Sequence, residues 1–215
     1  MVSRANLTIL VIILTAIVVW LVSFFHVPRV RDDTPTAPQT VTVSPQTTPT
    51  PLSLIEPVPE FRLRITKKAF GTFVTPQDSP VQPERFTGFH TGVDVEYEDI
   101  TDNVPVVAVT DGTVVYKGTI NGYGGVVIIR HDIGDGTYQV LYGHLDIRSV
   151  TVGIGQFVTR GQRLGNLGEG YSPETDGERK HLHFSISQRN TLDFRGYVSA
   201  MDELSDWIDP QNLFR

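Results

Sequence analysis

The run His181-Leu182-His183-Phe184-Ser185-Ile186-Ser187 alternates polar and apolar residues. Successive side chains of a strand point to opposite faces, so His181 and His183 share one face with Ser185 and Ser187, while Leu182, Phe184 and Ile186 share the other. The two imidazoles then stand about 7 Å apart and parallel, where a helix would splay them. Such a pair suits one metal ligand and one catalytic neighbour. His90-Thr91-Gly92-Val93-Asp94 forms a second group. A histidine and an aspartate offer the nitrogen and oxygen donors that zinc takes at about 2.0–2.2 Å. Along a straight strand the two would lie about 13 Å apart, too far for one ion. The backbone therefore has to bend between them, and Gly92 is the residue able to take the dihedrals of a bend. Either His181 or His183 completes a set of three protein ligands, the number that leaves a zinc ion free to do chemistry.

His144 closes another alternating stretch, with Tyr138, Val140 and Tyr142 on its own face. The chain has no His-Glu-x-x-His helix to supply a glutamate base, so histidines are the natural proton carriers for a metal hydrolase. His131 follows Ile128-Ile129-Arg130 and reads as a structural histidine at a strand end; His26 adjoins an apolar run and reads as interfacial. Cysteine is absent, which excludes disulfides and thiolate ligands and leaves His, Asp and Glu as donors.

From Phe61 onward the pattern that must position these groups is β. Val104 to Val109 and Thr113 to Tyr116 flank Asp111-Gly112, a tight-hairpin signal. Val126 to Arg130 and Thr137 to Leu145 are joined through Gly134-Asp135-Gly136, and glycine-punctuated short strands follow over Val150 to Val158 and Gly161 to Gly165. No useful helical period precedes Val198 to Trp207, so the expected fold is all-β, an antiparallel sheet or sandwich.

The part before residue 61 is different, and none of the 19 glycines precedes Gly71. Leu7 to Phe25 contains no charged residue and approaches the ~20 apolar residues that cross a bilayer. Bulky residues follow it where a signal peptide would have a small-x-small cleavage site, so residues 1–31 are expected to be an uncleaved single-pass anchor. Residues 32–60 hold seven prolines among Thr, Gln, Ser and Val and read as an extended or disordered linker. Residues 61–215 are the expected folded domain. Formal charge is −6; apart from Arg4, Arg29 and Arg31 in the anchor, 15 basic residues stand against 24 acidic ones, a balance that argues against nucleic acid as a partner.

In order along the chain, His90-Thr91-Gly92-Val93-Asp94, Tyr142-Gly143-His144-Leu145 and His181-Leu182-His183-Phe184 resemble the motifs of the lysostaphin/LytM-type zinc metallopeptidases, which cut peptidoglycan cross-bridges and stem peptides. The resemblance covers about residues 70 to 188. It implies that His90, Asp94 and His183 bind Zn2+, and that His144 and His181 act on protons and on the developing oxyanion. It also implies peptidoglycan as substrate, regulatory envelope proteins as further partners, and a domain held outside the cytoplasm by a helix with its N-terminus inside. The alternative it carries is a catalytically silent LytM-like module that activates other wall hydrolases; a lipoyl-type structural module ranks below both, since Asp111-Gly112 has no lysine at its turn. The chain departs from the family pattern in the polar loop Glu169 to Lys180, which ends in Arg179-Lys180, and in Ser185 after Phe184. These departures are expected to alter the cleft wall and not the ligands. Glu84 and Arg85, just ahead of the first motif, are candidates for shaping a subsite.

Overall fold

The structure is a computed structural model, and it describes residues 54–214. The expected anchor at 1–31, and the linker up to residue 53, lie outside the described residues. Among the described residues no helix is long and apolar enough to cross a membrane. Residues 54–60, within the segment read as linker, are tied to the domain. Ile55 N–H donates to Val109 O and Val107 N–H to Pro57 O, and Val58 is buried.

The domain is built from twelve strands and three short 3-10 helices, and every strand pairing is antiparallel. The strands are β1 (Phe73–Val74), β2 (Gly88–His90), β3 (Val93–Glu96), β4 (Pro105–Val107), β5 (Gly112–Ile120) and β6 (Gly124–Ile133). They continue as β7 (Gly136–Leu145), β8 (Phe157–Val158), β9 (Arg163–Asn166), β10 (His181–Ser187), β11 (Tyr197–Val198) and β12 (Trp207–Ile208). The main sheet runs β12-β10-β7-β6-β5-β8, with β3 pairing β10 along the same edge as β12; β1-β2-β11 and β4-β9 form two small sheets. This all-β antiparallel architecture is the one expected. The segment from Val198 to Trp207 holds only a 3-10 helix, Met201–Asp206, between β11 and β12.

Period-two alternation in β10 puts Leu182, Phe184 and Ile186 into the core, each fully buried, beside Val93 and Val95 of β3 and Val140 and Tyr142 of β7. Phe61 and Phe214 close this cluster over Phe184, with ring centroids 5.4 and 6.0 Å away. Each such large apolar side chain contributes about 1.5–3 kcal/mol on burial, which anchors β10 and so fixes the polar face it presents on the other side. That other face carries a smaller cluster, Tyr123, Val126, Ile128 and Leu141.

The hairpin expected at Asp111-Gly112 does not form. β4 pairs with β9, and β5 begins at Gly112 and pairs with β6 and β8. A two-residue turn of the favoured type needs positive φ at its central residues, and neither Asp111 nor Gly112 has it. Gly112 serves close approach instead, since a Cβ there would lie 2.4 Å from His131 Nδ1 and 2.6 Å from Arg130 O. Asp111 Oδ1 accepts the Arg160 backbone N–H at 2.7 Å, which ties it to the turn before β9. The second expected hairpin, β6 to β7 through Gly134-Asp135-Gly136, does form.

Candidate metal centre and catalytic cleft

Register brings the first and third motifs together. On one side of β10, His183 lies opposite Asp94 and His181 opposite Glu96; on the other side His183 lies opposite Gly143. Directly opposed residues project onto the same face, so Asp94 meets His183 without a long side chain having to reach. The chain does bend between His90 and Asp94, where β2 ends and β3 begins. Gly92, however, is not at positive φ. It is needed because a Cβ would lie 2.5 Å from Phe184 O, so its role is close approach to β10.

Three donor atoms converge as a result. His90 Nε2 lies 3.1 Å from His183 Nδ1 and 3.2 Å from Asp94 Oδ1, and the third edge, His183 Nδ1 to Asp94 Oδ1, is 3.1 Å. Ligands about 2.0–2.2 Å from a tetrahedral ion would be roughly 3.3–3.6 Å apart, so this triangle is one face of such a site, slightly contracted. The outer nitrogens are engaged elsewhere. His90 Nδ1 is 3.2 Å from Ala69 O, which can only accept and so places a proton there, leaving Nε2 as a lone pair. His183 Nε2 is 3.4 Å from Tyr123 OH. The residues present therefore fit a metal ion in donor type and spacing, and His90 does so in tautomer as well.

His144 and His181 line the same cleft, of about 280 Å³, as Asp94 and His183. Their ring centroids are 4.2 Å apart. His181 Nδ1 lies 2.8 Å from Arg179 O, again an acceptor, so its Nε2 carries the lone pair and stands 3.5 Å from Asp94 Oδ2. His144 arrives there by a bulge. The register steps from Gly125 opposite Leu145 to Val126 opposite Gly143, leaving His144 as the extra residue, at φ +61°. Simple alternation puts it on the core face with Tyr142; the bulge turns it to the cleft and returns Leu145 to the core. Its Nδ1 is buried on the protein side of the ring, with no hydrogen-bond partner among the described residues. His131 remains in the core, with Nδ1 2.9 Å from Asp111 O.

Burial keeps the cleft imidazoles neutral. It pushes His144 down to about 3 and lowers His181 and His183, in each case against the favourable pull of Asp94. Asp94 also moves down, but for the opposite reason. Burial alone would raise it, but His181, His90 and Arg179, with the His183 hydrogen bond, hold its carboxyl well below the usual range. Neutral imidazoles and an ionised carboxylate are the forms that ligate cations and accept protons.

Residues 88–194 match peptidase family M23. This domain belongs to peptidase family M23. The lysostaphin/LytM-type resemblance carried by the three motifs therefore holds; four of the five residues it singled out, Asp94, His144, His181 and His183, line one cleft of the M23 domain, and His90 is buried against His183. Among curated proteins, a lipoprotein NlpD/LppB homolog of Pseudomonas aeruginosa is 41% identical over 86 residues, 40% of this chain and 26% of that protein. Endolysin 2638A of Staphylococcus phage 2638A is 34% identical over 104 residues, 48% of this chain and 20% of that protein. The matched stretch is thus about a quarter or less of either relative. A chain of the solved SpoIIQ–SpoIIIAH pore forming complex matches over 76% of this chain and 92% of its own length at 21% identity, with a TM-score of 0.50, a similarity of fold.

The structure adds M23-cleft residues that the sequence reading did not place. Tyr123 lies between His144 and His183, with centroids 5.5 and 5.1 Å away, in room left by Gly143 and Gly196. Only the glycines around Tyr123 hinted at such close packing. Lys68, buried, donates to Glu84 Oε2 at 2.5 Å and to Tyr197 OH at 2.9 Å, and the Tyr197 ring packs on His90 at 5.2 Å. Glu84 is therefore part of the support behind His90. Arg85 reaches across to Glu178 and Asp176 of the 169–180 loop. That loop does more than line the wall, contrary to expectation. Arg179 Nη2 donates to Asp94 Oδ2 at 2.8 Å, so the departure from the family pattern touches an expected ligand directly.

Proposed function

We propose that this chain is a membrane-anchored, zinc-dependent endopeptidase that hydrolyses peptide bonds in peptidoglycan stems or cross-bridges. The observation that carries the reading is the triangle of His90 Nε2, Asp94 Oδ1 and His183 Nδ1, with edges of 3.1–3.2 Å, at a cleft that also holds two neutral histidines. Zinc held by those three atoms supplies Lewis acidity toward the scissile carbonyl and makes water acidic enough to act near neutral pH. The remaining work belongs to the protein. His181 accepts the proton of the attacking water at Nε2, where Asp94 Oδ2 faces the imidazolium that forms. His144, its ring 4.2 Å from that of His181, supplies a ring N–H to the developing oxyanion or relays to the leaving amine the proton that His181 has taken up. Tyr123, Tyr197 and the Lys68–Glu84 pair hold the ligand imidazoles in place.

Peptidoglycan lies beyond the membrane, and the apolar run Leu7 to Phe25 followed by the proline-rich stretch supports an N-in, domain-out anchor with reach toward the wall. A cytoplasm-only reporter fused to the C-terminus should stay silent. For the activity, the full chain purified in detergent is analysed for metal and then incubated with purified sacculi. One zinc per chain and release of fragments with new amino termini, identified by mass, are expected. Zinc without any new amino terminus would overturn the peptidase reading in favour of a silent wall-binding module. No bound metal would overturn the zinc assignment.

A further inference from the structure

Asp94 and Glu96 are two residues apart on β3, so their carboxylates leave the strand on the same face, and both are buried, 2% and 8% exposed. Two carboxylates side by side in an interior oppose each other's ionisation unless a cation joins them. The cation is Arg179, itself 2% exposed. Its Nε donates to Glu96 Oε2 at 2.9 Å and its Nη2 to Glu96 Oε1 at 2.7 Å, a two-point fork that fixes the plane of the guanidinium. The same Nη2 also donates to Asp94 Oδ2 at 2.8 Å. Glu96 makes no contact with the donor triangle; it holds the arginine.

The terminal torsion of an aspartate is soft, and a carboxylate free to turn can offer a cation one oxygen or two. With Oδ2 committed to Arg179, only Oδ1 faces His90 Nε2 and His183 Nδ1. We propose that Arg179, locked by Glu96, is a positioning residue of the metal centre that holds Asp94 as a one-oxygen ligand. This rests on reading His90, Asp94 and His183 as metal ligands. Two effects of the arginine oppose each other: it orients Asp94, and it draws charge away from a donor oxygen. Orientation dominates, because Glu96 balances the guanidinium charge and leaves the charge of Asp94 to the cation. A lysine is a point charge without the planar fork and cannot serve both carboxylates in this geometry.

The test uses the full chain and two variants. Arg179→Lys keeps the charge and loses the fork. The double variant Arg179→Met with Glu96→Met removes the arginine together with Glu96, so no second unpaired carboxylate is left buried beside Asp94, which keeps His90, His181 and His183 as partners. Affinity for Zn2+ and Co2+ is measured by competition with a chromophoric chelator, the visible spectrum of the Co2+ form is recorded, and near-ultraviolet circular dichroism reports the fold. Both variants should bind about 10–100-fold more weakly than the unmodified chain, the range for loss of an outer-shell partner. Their Co2+ bands should weaken as Asp94 turns to two-oxygen ligation and the coordination number rises. Folded variants with unchanged affinity and an unchanged Co2+ spectrum would overturn the proposal while leaving the metal centre standing. If the unmodified chain binds neither ion, the metal reading falls and this inference falls with it.

Discussion

β7 and β10 are neighbours in one sheet, carry the same alternating pattern, and deliver their histidines by different means. β10 is regular, and His181 and His183 reach the cleft because Leu182, Phe184 and Ile186 are drawn into the core. β7 is regular only to Gly143; its final histidine faces the cleft because one residue is inserted into the ladder with β6. The hydrophobic effect sets the face in the first case, and backbone register sets it in the second. The cost also differs. A non-glycine residue in the left-handed region sacrifices about 1–2 kcal/mol, so His144 is held against its local preference by the surrounding packing.

Either strand's delivery of its histidines can be broken by substitution. Removing a donor from the regular strand has the largest expected effect. His183→Ala should lose metal by more than the roughly 10–100-fold that outer-shell changes cost, as read by metal analysis after dialysis. Retained stoichiometric metal would show that the triangle is not the binding site. On the bulged strand, His144→Ala should keep the metal and lower the rate of wall hydrolysis by about 10²–10⁴-fold, the contribution of a positioned proton carrier. Full activity would remove His144 from the chemistry.

A third change attacks the bulge itself. Gly125 faces it so closely that a Cβ would lie 2.0 Å from Leu145 O, a backbone atom that cannot swing aside. Gly125→Ala should therefore destabilise the domain by about 1–3 kcal/mol in urea unfolding and lower activity with it. A variant with unchanged stability and activity would mean that the two strands do not approach as described. The smallest effect concerns His131, the histidine the bulge does not reach. Burial lowers its pKa despite the Asp111 carbonyl, so its neutral form favours the folded state. The associated stability is fully present above the unfolded pKa of about 6.5 and lost as pH falls through the lower folded value. The urea midpoint should drop between pH 7.5 and 5, and His131→Gln should flatten part of that slope; an identical slope in the variant would show that His131 is not held neutral.

Much of the site was legible in the chain. β10 spans His181–Ser187, the residues read as an alternating strand, because apolar burial at every second position leaves little freedom in either face. The bend between His90 and Asp94 was legible too, since the spacing is too long for a straight strand to bring both to one ion. The turn at Asp111-Gly112 was misread because a glycine signals either positive φ or close approach, and the dipeptide does not say which. Arg179 was seen only as a deviation in a polar loop. Its partners, Asp94 and Glu96, are 85 and 83 residues away, and no local pattern announces an ion pair across that separation.

What the sequence by itself determined is an all-β domain, the strand that carries His181 and His183, and the set of donor types, because residue chemistry and two-residue periodicity are local properties. Only the tertiary structure decided that Asp94 lies opposite His183, that His144 turns to the cleft, and that Arg179 reaches Asp94. Those depend on register between strands far apart in the chain. Register is set by the packing of whole faces, and a shift of one residue would send every side chain concerned to the other side of the sheet.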